Sequence, residues 1–163
     1  MSQSDVATSN QYLTFTLENE QYAVEVYDVR EVLEFTTITK VPRTQEFMRG
    51  VINLRGSVVP VIDLKLKFEL GKTEHTVDTS IIVMEIEVGG ERTILGTLAD
   101  SVQEVITLDT ANIEPPPQIG TTIRTDFIRG IGKQDEAFVI LLDIKRVFSE
   151  EDLAAIAVET TDS

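Results

Sequence analysis

The chain has 163 residues, 42% of them hydrophobic, enough for one domain-sized core and too apolar for global disorder. Its 28 Asp and Glu against 14 Lys and Arg leave a net charge of -14, which repels phosphate backbones and anionic lipid headgroups and argues against nucleic-acid and membrane-surface partners. There is no cysteine, so disulfides, thiolate metal sites and a thiol nucleophile are excluded together. Five of the acids (Glu150, Glu151, Asp152, Glu159 and Asp162) fall in the last fourteen residues. Met1 to Asn10 has neither a basic residue nor an apolar centre and does not read as a signal peptide. The apolar runs Val58–Ile62 and Phe138–Leu142 have five residues each and no run in the chain exceeds six, against the ~20 that cross a bilayer. The expectation is a cytoplasmic protein without direct membrane insertion.

In chain order, Gln11 to Leu17 alternates, with Leu13, Phe15 and Leu17 on one face. The turn Glu18-Asn19-Glu20 leads into Gln21–Glu25, which completes a hairpin. Val26 to Glu34 has apolar residues at 26, 29, 32 and 33 and high β-branched content, predicting a short helical turn passing into a strand. Strands follow over Gly50–Arg55 and Val58–Asp63, joined by Gly56-Ser57, with Val51, Asn53 and Arg55 on one face. Two more hairpins pair Ser80–Ile86 with Arg92–Leu98 and Arg129–Lys133 with Ala137–Leu142. Pro115, Pro116 and Pro117 make a stiff extended connector, and Glu150–Val158 reads as a terminal helix.

The sequence also repeats. Phe47–Phe68 aligns without a gap onto Phe127–Phe148, with seven identities in 22 pairs: Phe47, Arg49, Gly50, Val59, Asp63, Lys65 and Phe68 meet Phe127, Arg129, Gly130, Val139, Asp143, Lys145 and Phe148. A weaker echo joins Val29–Leu33 to Val102–Ile106. A duplicated β unit follows, giving two similar small barrels, packed or interleaved.

Candidates for chemistry are few. His75, the only histidine, lies in a polar stretch with no nucleophile motif and reads as a solvated loop residue. Asp63 and Asp143 could form a carboxylate pair for hydrolysis, but each ends a strand where a helical turn begins, so N-capping accounts for both. Glu85, Glu87 and Glu91 alternate with apolar residues as a solvated strand face does, and no calcium or phosphate loop is present. Arg55 stands just before Gly56 at a hairpin mouth, within reach of a local carboxylate. On residue physics alone that is a surface ion pair.

The segment from Gly50 to Leu64 resembles the hallmark of the CheW family, the adaptor domains of bacterial chemotaxis. Gly50, Val51, Asn53, Leu54, Arg55, Gly56, Pro60, Asp63 and Leu64 meet its pattern. The likeness runs upstream through Gln11–Leu17, Glu20-Gln21-Tyr22 and Val29-Arg30-Glu31-Val32. Downstream it takes in Gly96, Asp100, Val102, Val105 and Ile140–Phe148. This resemblance implies a mainly β fold of two intertwined five-stranded SH3-like barrels, with a few short helices and a C-terminal helix. One domain would span about residues 11–157, with flexible tails at 1–10 and 158–163. The resemblance also implies no catalysis and no cofactor or metal. The expected partners are the cytoplasmic tip of a chemoreceptor and the regulatory domain of the histidine kinase CheA, met in receptor arrays at the inner face of the membrane. The receptor groove would use Val29, Glu31, Arg55, Val102 and Val105, with Gly50 and Gly56 shaping nearby backbone and Glu31 pairing with Arg55. Kinase contact would fall at the outer ends of the subdomains, on residues the resemblance does not identify. The alternative is a CheW-like adaptor serving pilus motility or second-messenger control.

Overall fold

The computed structural model describes residues 9–88, 90–116 and 127–148. Strand β1 (Ser9–Leu17) and β2 (Glu20–Glu25) form the first hairpin. Its two turn residues, Glu18 and Asn19, have φ of 53° and 69°, the left-handed pair that matches strand twist. Ser9 and Asn10 pair with Asp109 and Leu108, so two residues assigned to a flexible tail are instead the first rungs of β1. A 3-10 turn (Val26–Asp28) then passes into β3 (Val29–Glu34), as the mixed spacing predicts. Strands β4 (Met48–Leu54) and β5 (Ser57–Asp63) follow, and Asp63 opens the one-turn helix α1 (Leu64–Lys67). The link between β4 and β5 is Arg55-Gly56, not Gly56-Ser57: Leu54 pairs with Ser57, and Arg55 (φ 52°) and Gly56 (φ 89°) make the turn. Arg55 therefore leaves the strand face expected to hold Val51 and Asn53.

Strands β6 (Ser80–Val88) and β7 (Glu91–Ala99) form the next hairpin, and β8 (Ser101–Asp109) is a strand that its sequence marks only by the echo of β3. A 3-10 turn at Thr110–Asn112 leads into the two-residue β9 (Ile113–Glu114). Pro115 and Pro116 continue outside any strand. Strands β10 (Ile128–Gln134) and β11 (Ala137–Leu142) and the one-turn helix α2 (Ile144–Val147) complete the described chain. Pro117 and the expected helix Glu150–Val158 lie outside the described residues.

The strands form two sheets, ordered β8-β1-β2-β11-β10-β9 and β3-β6-β7-β5-β4. The repeat explains both. Each copy comprises a hairpin, a single strand, and a second hairpin ending in a one-turn helix. The first hairpin of each copy joins the other copy's strands: β1–β2 lies beside β8, β10 and β11, while β6–β7 lies beside β3, β4 and β5. The equivalent junctions are both parallel, β2 with β11 and β7 with β5. The barrels are thus interleaved by hairpin exchange. The edges are also brought together alike. Thr39 bridges to Val51 on β4, with N···O distances of 2.8 and 2.9 Å, and β9 pairs with Ile131 and Gly132 on β10. The approach requires glycine: a Cβ on Gly50 (φ +146°) would stand 2.2 Å from the Thr39 carbonyl oxygen, and one on Gly130 would stand 2.9 Å from that of Glu114.

The core has three parts. Tyr12, Ala23, Ile106, Leu108, Val139 and Leu141 fill the first sheet, and Ile52, Val59, Val61, Ile81, Val83 and Leu98 fill the second. A larger central cluster lies between them and includes Phe15, Leu17, Val24, Ile62, Leu64, Ile82, Met84 and Leu95. Strand β6 shows why its sequence is apolar throughout: Ile81 and Val83 face one barrel's interior, while Ile82, Met84 and Ile86 face the central cluster. Each such side chain contributes about 1.5–3 kcal/mol by leaving water. The ends of the two copies meet through aromatic pairs: Phe47 packs tilted against Phe148 with ring centroids 5.7 Å apart, and Phe68 stacks on Phe127 at 4.7 Å. Buried Thr14 sits at the bulge between β1 and β8, where its hydroxyl donates to the Glu104 carbonyl (2.7 Å) and accepts from the Glu104 N–H (3.0 Å).

Candidate functional site

Glu31 and Arg55 meet across the opposite edges of the five-stranded sheet. Glu31 is on edge strand β3, and Arg55 lies in the turn leaving edge strand β4. The two guanidinium nitrogens donate to the two carboxylate oxygens at 2.8 Å each, a bidentate clasp. The turn is built to present it: the Gly56 N–H donates to Asn53 Oδ1 at 2.7 Å, which pins the backbone with Arg55 and Gly56 both left-handed. Leu54 packs against the core of the same sheet. The run Asn53-Leu54-Arg55-Gly56 is thus a turn lock, an anchor, a presented cation and a permissive glycine. Arg55's hydrogen bonds hold the Glu31 carboxyl below the usual glutamate range, against partial desolvation that pushes the other way. The clasp remains accessible, with the Arg55 side chain 71% exposed.

The other expected groove residues divide between the sheets. Val29 pairs with Met84 on β6 and packs half-buried on the central cluster. Val102 and Val105 are on β8, the corresponding edge strand of the other sheet, opposite Phe15 and Leu13. Val102 also packs on the central cluster, while Val105 is 51% exposed. The structure therefore brings Glu31, Arg55 and Gly56 directly together. Val29 and Val102 are joined through the core they share, and Val105 stands on the surface of the second edge. Gly50 is buried beneath Thr39 and shapes backbone only. Asn53 is a contributor that the expected set lacks; an Asn three residues before a turn glycine was its available signal.

The remaining charged candidates are structural. Fully buried Asp63 accepts from the N–H groups of Lys65 (3.1 Å) and Thr73 (2.9 Å), the Thr73 hydroxyl (2.7 Å) and Arg49 (2.9 Å). Asp143 accepts from the Lys145 N–H at 3.2 Å and lies 3.5 Å from Arg129, so the Arg49–Asp63 pair recurs in the second copy. Both aspartates cap their helical turns, with their oxygens committed to these donors. Buried Lys65 reaches Glu18 at 2.5 Å and Asp100 at 3.4 Å, where the chain crosses between sheets. Burial pulls its ammonium pKa down, but these two carboxylates more than offset that and leave it raised. Arg129 forms a 2.6 Å pair with Glu25 at the other crossing. Glu85 is held by Arg30 and Arg92, whose hydrogen bonding and charge lower its pKa against desolvation. Exposed His75 stacks on Phe35, with ring centroids 3.9 Å apart. Among the described residues no cluster of three or more His, Cys, Asp or Glu could hold a metal ion, and no helix is long and apolar enough to cross a membrane.

Residues 11–152 match the model of the CheW-like domain. The chain is 34% identical over 146 residues to a chemotaxis protein CheW of Klebsiella aerogenes, covering 90% of this chain and 86% of that relative. It is 32% identical over 152 residues to the chemotaxis protein CheW of Bacillus subtilis, covering 91% and 92%. Among solved structures, the scaffolding protein TtCheW of Thermoanaerobacter tengcongensis superposes with a TM-score of 0.75 at 41% identity, covering 86% of this chain and 88% of that one.

Proposed function

The chain belongs to the CheW-like family, and from that membership we propose that it is a non-enzymatic adaptor of chemotaxis, coupling the cytoplasmic tip of a chemoreceptor to the regulatory domain of a CheA-type histidine kinase. The observation that carries this reading is the Glu31–Arg55 clasp, built on the run Asn53-Leu54-Arg55-Gly56 in a chain that matches the family from residue 11 to 152. A fixed, exposed guanidinium on a rigid hairpin can orient a helical partner, while exposed apolar side chains such as Val105 supply contact area. Val29, Glu31, Gly50, Arg55, Gly56, Val102 and Val105 form or shape this receptor surface. The absence of catalysis is supported by Asp63 and Asp143, whose carboxylates are engaged in capping and ion pairs. Working at the inner face of the membrane, such an adaptor needs only modest contacts, about micromolar each, because a repeated array multiplies them.

The test begins with calorimetric titration against the regulatory domain of a CheA kinase from the same cell; saturable one-to-one binding is the expected result. Reconstitution with receptor and kinase then compares the wild-type chain with Arg55→Asp. That variant opposes a carboxylate to Glu31, so kinase activation should fall while the thermal melt stays cooperative. Full activation by a folded Arg55→Asp chain would remove the proposed role of the clasp. No binding to any CheA regulatory domain would remove the adaptor reading itself.

A further inference from the structure

The segment between β3 and β4 arches over a groove of about 750 Å³ whose chemistry differs from the rest of the molecule. In a chain of net charge -14, its lining brings together Lys40, Arg43, Arg49 and Lys72 with Glu46 as the one acid. Arg49 is engaged by Asp63. Lys40, Arg43 and Lys72 are exposed and have no acidic partner among the described residues. Arg43 also has a φ of 64°, a conformation that costs about 1 kcal/mol or more for a residue with a Cβ. Between the cations the lining is mixed, with apolar Val41, Met48 and Leu66 beside polar Thr37, Thr44 and Gln45.

Three cations with no acidic partner among the described residues, beside the apolar side chains of Val41, Met48 and Leu66, suit a segment that is both acidic and apolar. The C-terminal residues 149–163 have that composition: five acids, no Lys or Arg, and Leu153 and Ile156 among them. The described chain reaches Phe148, whose ring lies 5.7 Å from that of Phe47. Glu46 and Met48, the two neighbours of Phe47, both line the groove. Lys67 covers both rings, 4.9 Å from the centroid of Phe47 and 5.9 Å from that of Phe148. Glu150, Glu151 and Asp152 come two to four residues after Phe148, within about 14 Å of it even in a fully extended chain. Being tethered, they are present at an effective concentration of about millimolar, so a few weak ion pairs suffice to hold them.

We propose that the groove is the docking surface for the chain's own acidic C-terminal segment, with Glu150, Glu151 and Asp152 against Lys40, Arg43 and Lys72. Docking neutralises this basic patch and competes with any other acidic segment for it.

The chain's lack of cysteine makes the test direct. In the full-length protein, Lys72→Cys and Asp152→Cys are introduced together and disulfide formation is followed by mass spectrometry. Each rate is normalised to that variant's reaction with a neutral thiol reagent. The expected product is an intrachain disulfide. Adding Lys40→Glu and Arg43→Glu should slow it at least about fivefold, and further adding Glu150→Lys and Glu151→Lys should restore it. About 0.5 M sodium chloride should slow the parent pair similarly, which keeps the test decisive if a reversed variant fails to fold. A rate indifferent to charge reversal and salt would mean mere tether collision and would overturn the proposal. Interchain disulfides alone would overturn it in favour of a second copy's C-terminus. Because no receptor or kinase is present, the outcome is independent of the adaptor reading.

Discussion

At the residue scale, two glycines of one motif do different work. Gly50 admits the Thr39 backbone that helps bring the barrel edges together, and a Cβ there would stand 2.2 Å from a carbonyl oxygen. Gly50→Ala should therefore cost about 3 kcal/mol or more in urea unfolding. Gly56 has open space around it and only a positive φ to satisfy, so Gly56→Ala should cost about 1 kcal/mol. Equal costs would refute the closing role of Gly50. Glu31 makes a prediction in pH. Its carboxyl ionises at lower pH in the folded chain because of Arg55, so the clasp adds stability that is complete above the ordinary glutamate pKa. That increment is lost as pH falls through the folded value, a window opening below about pH 4.3. Denaturation midpoints of wild type and Glu31→Gln should therefore converge on acidification; a constant gap would show that the pair does not stabilise the fold electrostatically.

At the element scale, the two helical turns form a controlled pair. Asp63 and Asp143 occupy the same place in the repeat and both cap, yet Asp63 is fully buried against Arg49 while Asp143 is partly exposed. Asp63→Ala should cost about 3–5 kcal/mol by stripping a buried ion pair, and Asp143→Ala about 1 kcal/mol, the worth of a cap. Calorimetric unfolding of both variants distinguishes the two environments. The capping role was legible from the sequence because it depends on residues one to three apart, as were the hairpins and the helical turn before β3. The position of the β4–β5 turn was not: Gly56 draws the turn toward itself, and nothing local says that Arg55 takes the left-handed conformation before it. Strand β8 was obscured because three consecutive residues, Gln103, Glu104 and Val105, are exposed and break its alternation. The Glu31–Arg55 pairing came from the family likeness, since a contact between opposite edges of a sheet leaves no periodic trace.

At the scale of the whole molecule, the central cluster makes the two barrels one cooperative unit. Phe15, on β1, is fully buried in that cluster, which also includes Ile82, Met84 and Leu95 from the other sheet. Phe15→Ala should lower stability by about 3–5 kcal/mol, and amides of both sheets should lose hydrogen-exchange protection together. Loss confined to the sheet containing β1 would show that the barrels unfold separately. Duplication was legible in the chain, because Phe47–Phe68 and Phe127–Phe148 match residue for residue. The exchange of hairpins was not, because it depends on which copy a hairpin joins rather than on what it contains.

That exchange also bears on where such a chain could come from. A polypeptide with only one copy could close neither sheet by itself, since its first hairpin would lack the three strands it lies beside here. Two such polypeptides could complete each other by trading hairpins, the Phe47–Phe148 and Phe68–Phe127 ring contacts becoming one contact made twice about a two-fold axis. Joined end to end, they would have this topology: a dimer made covalent, whose two halves, freed from identity, can diverge toward different partners.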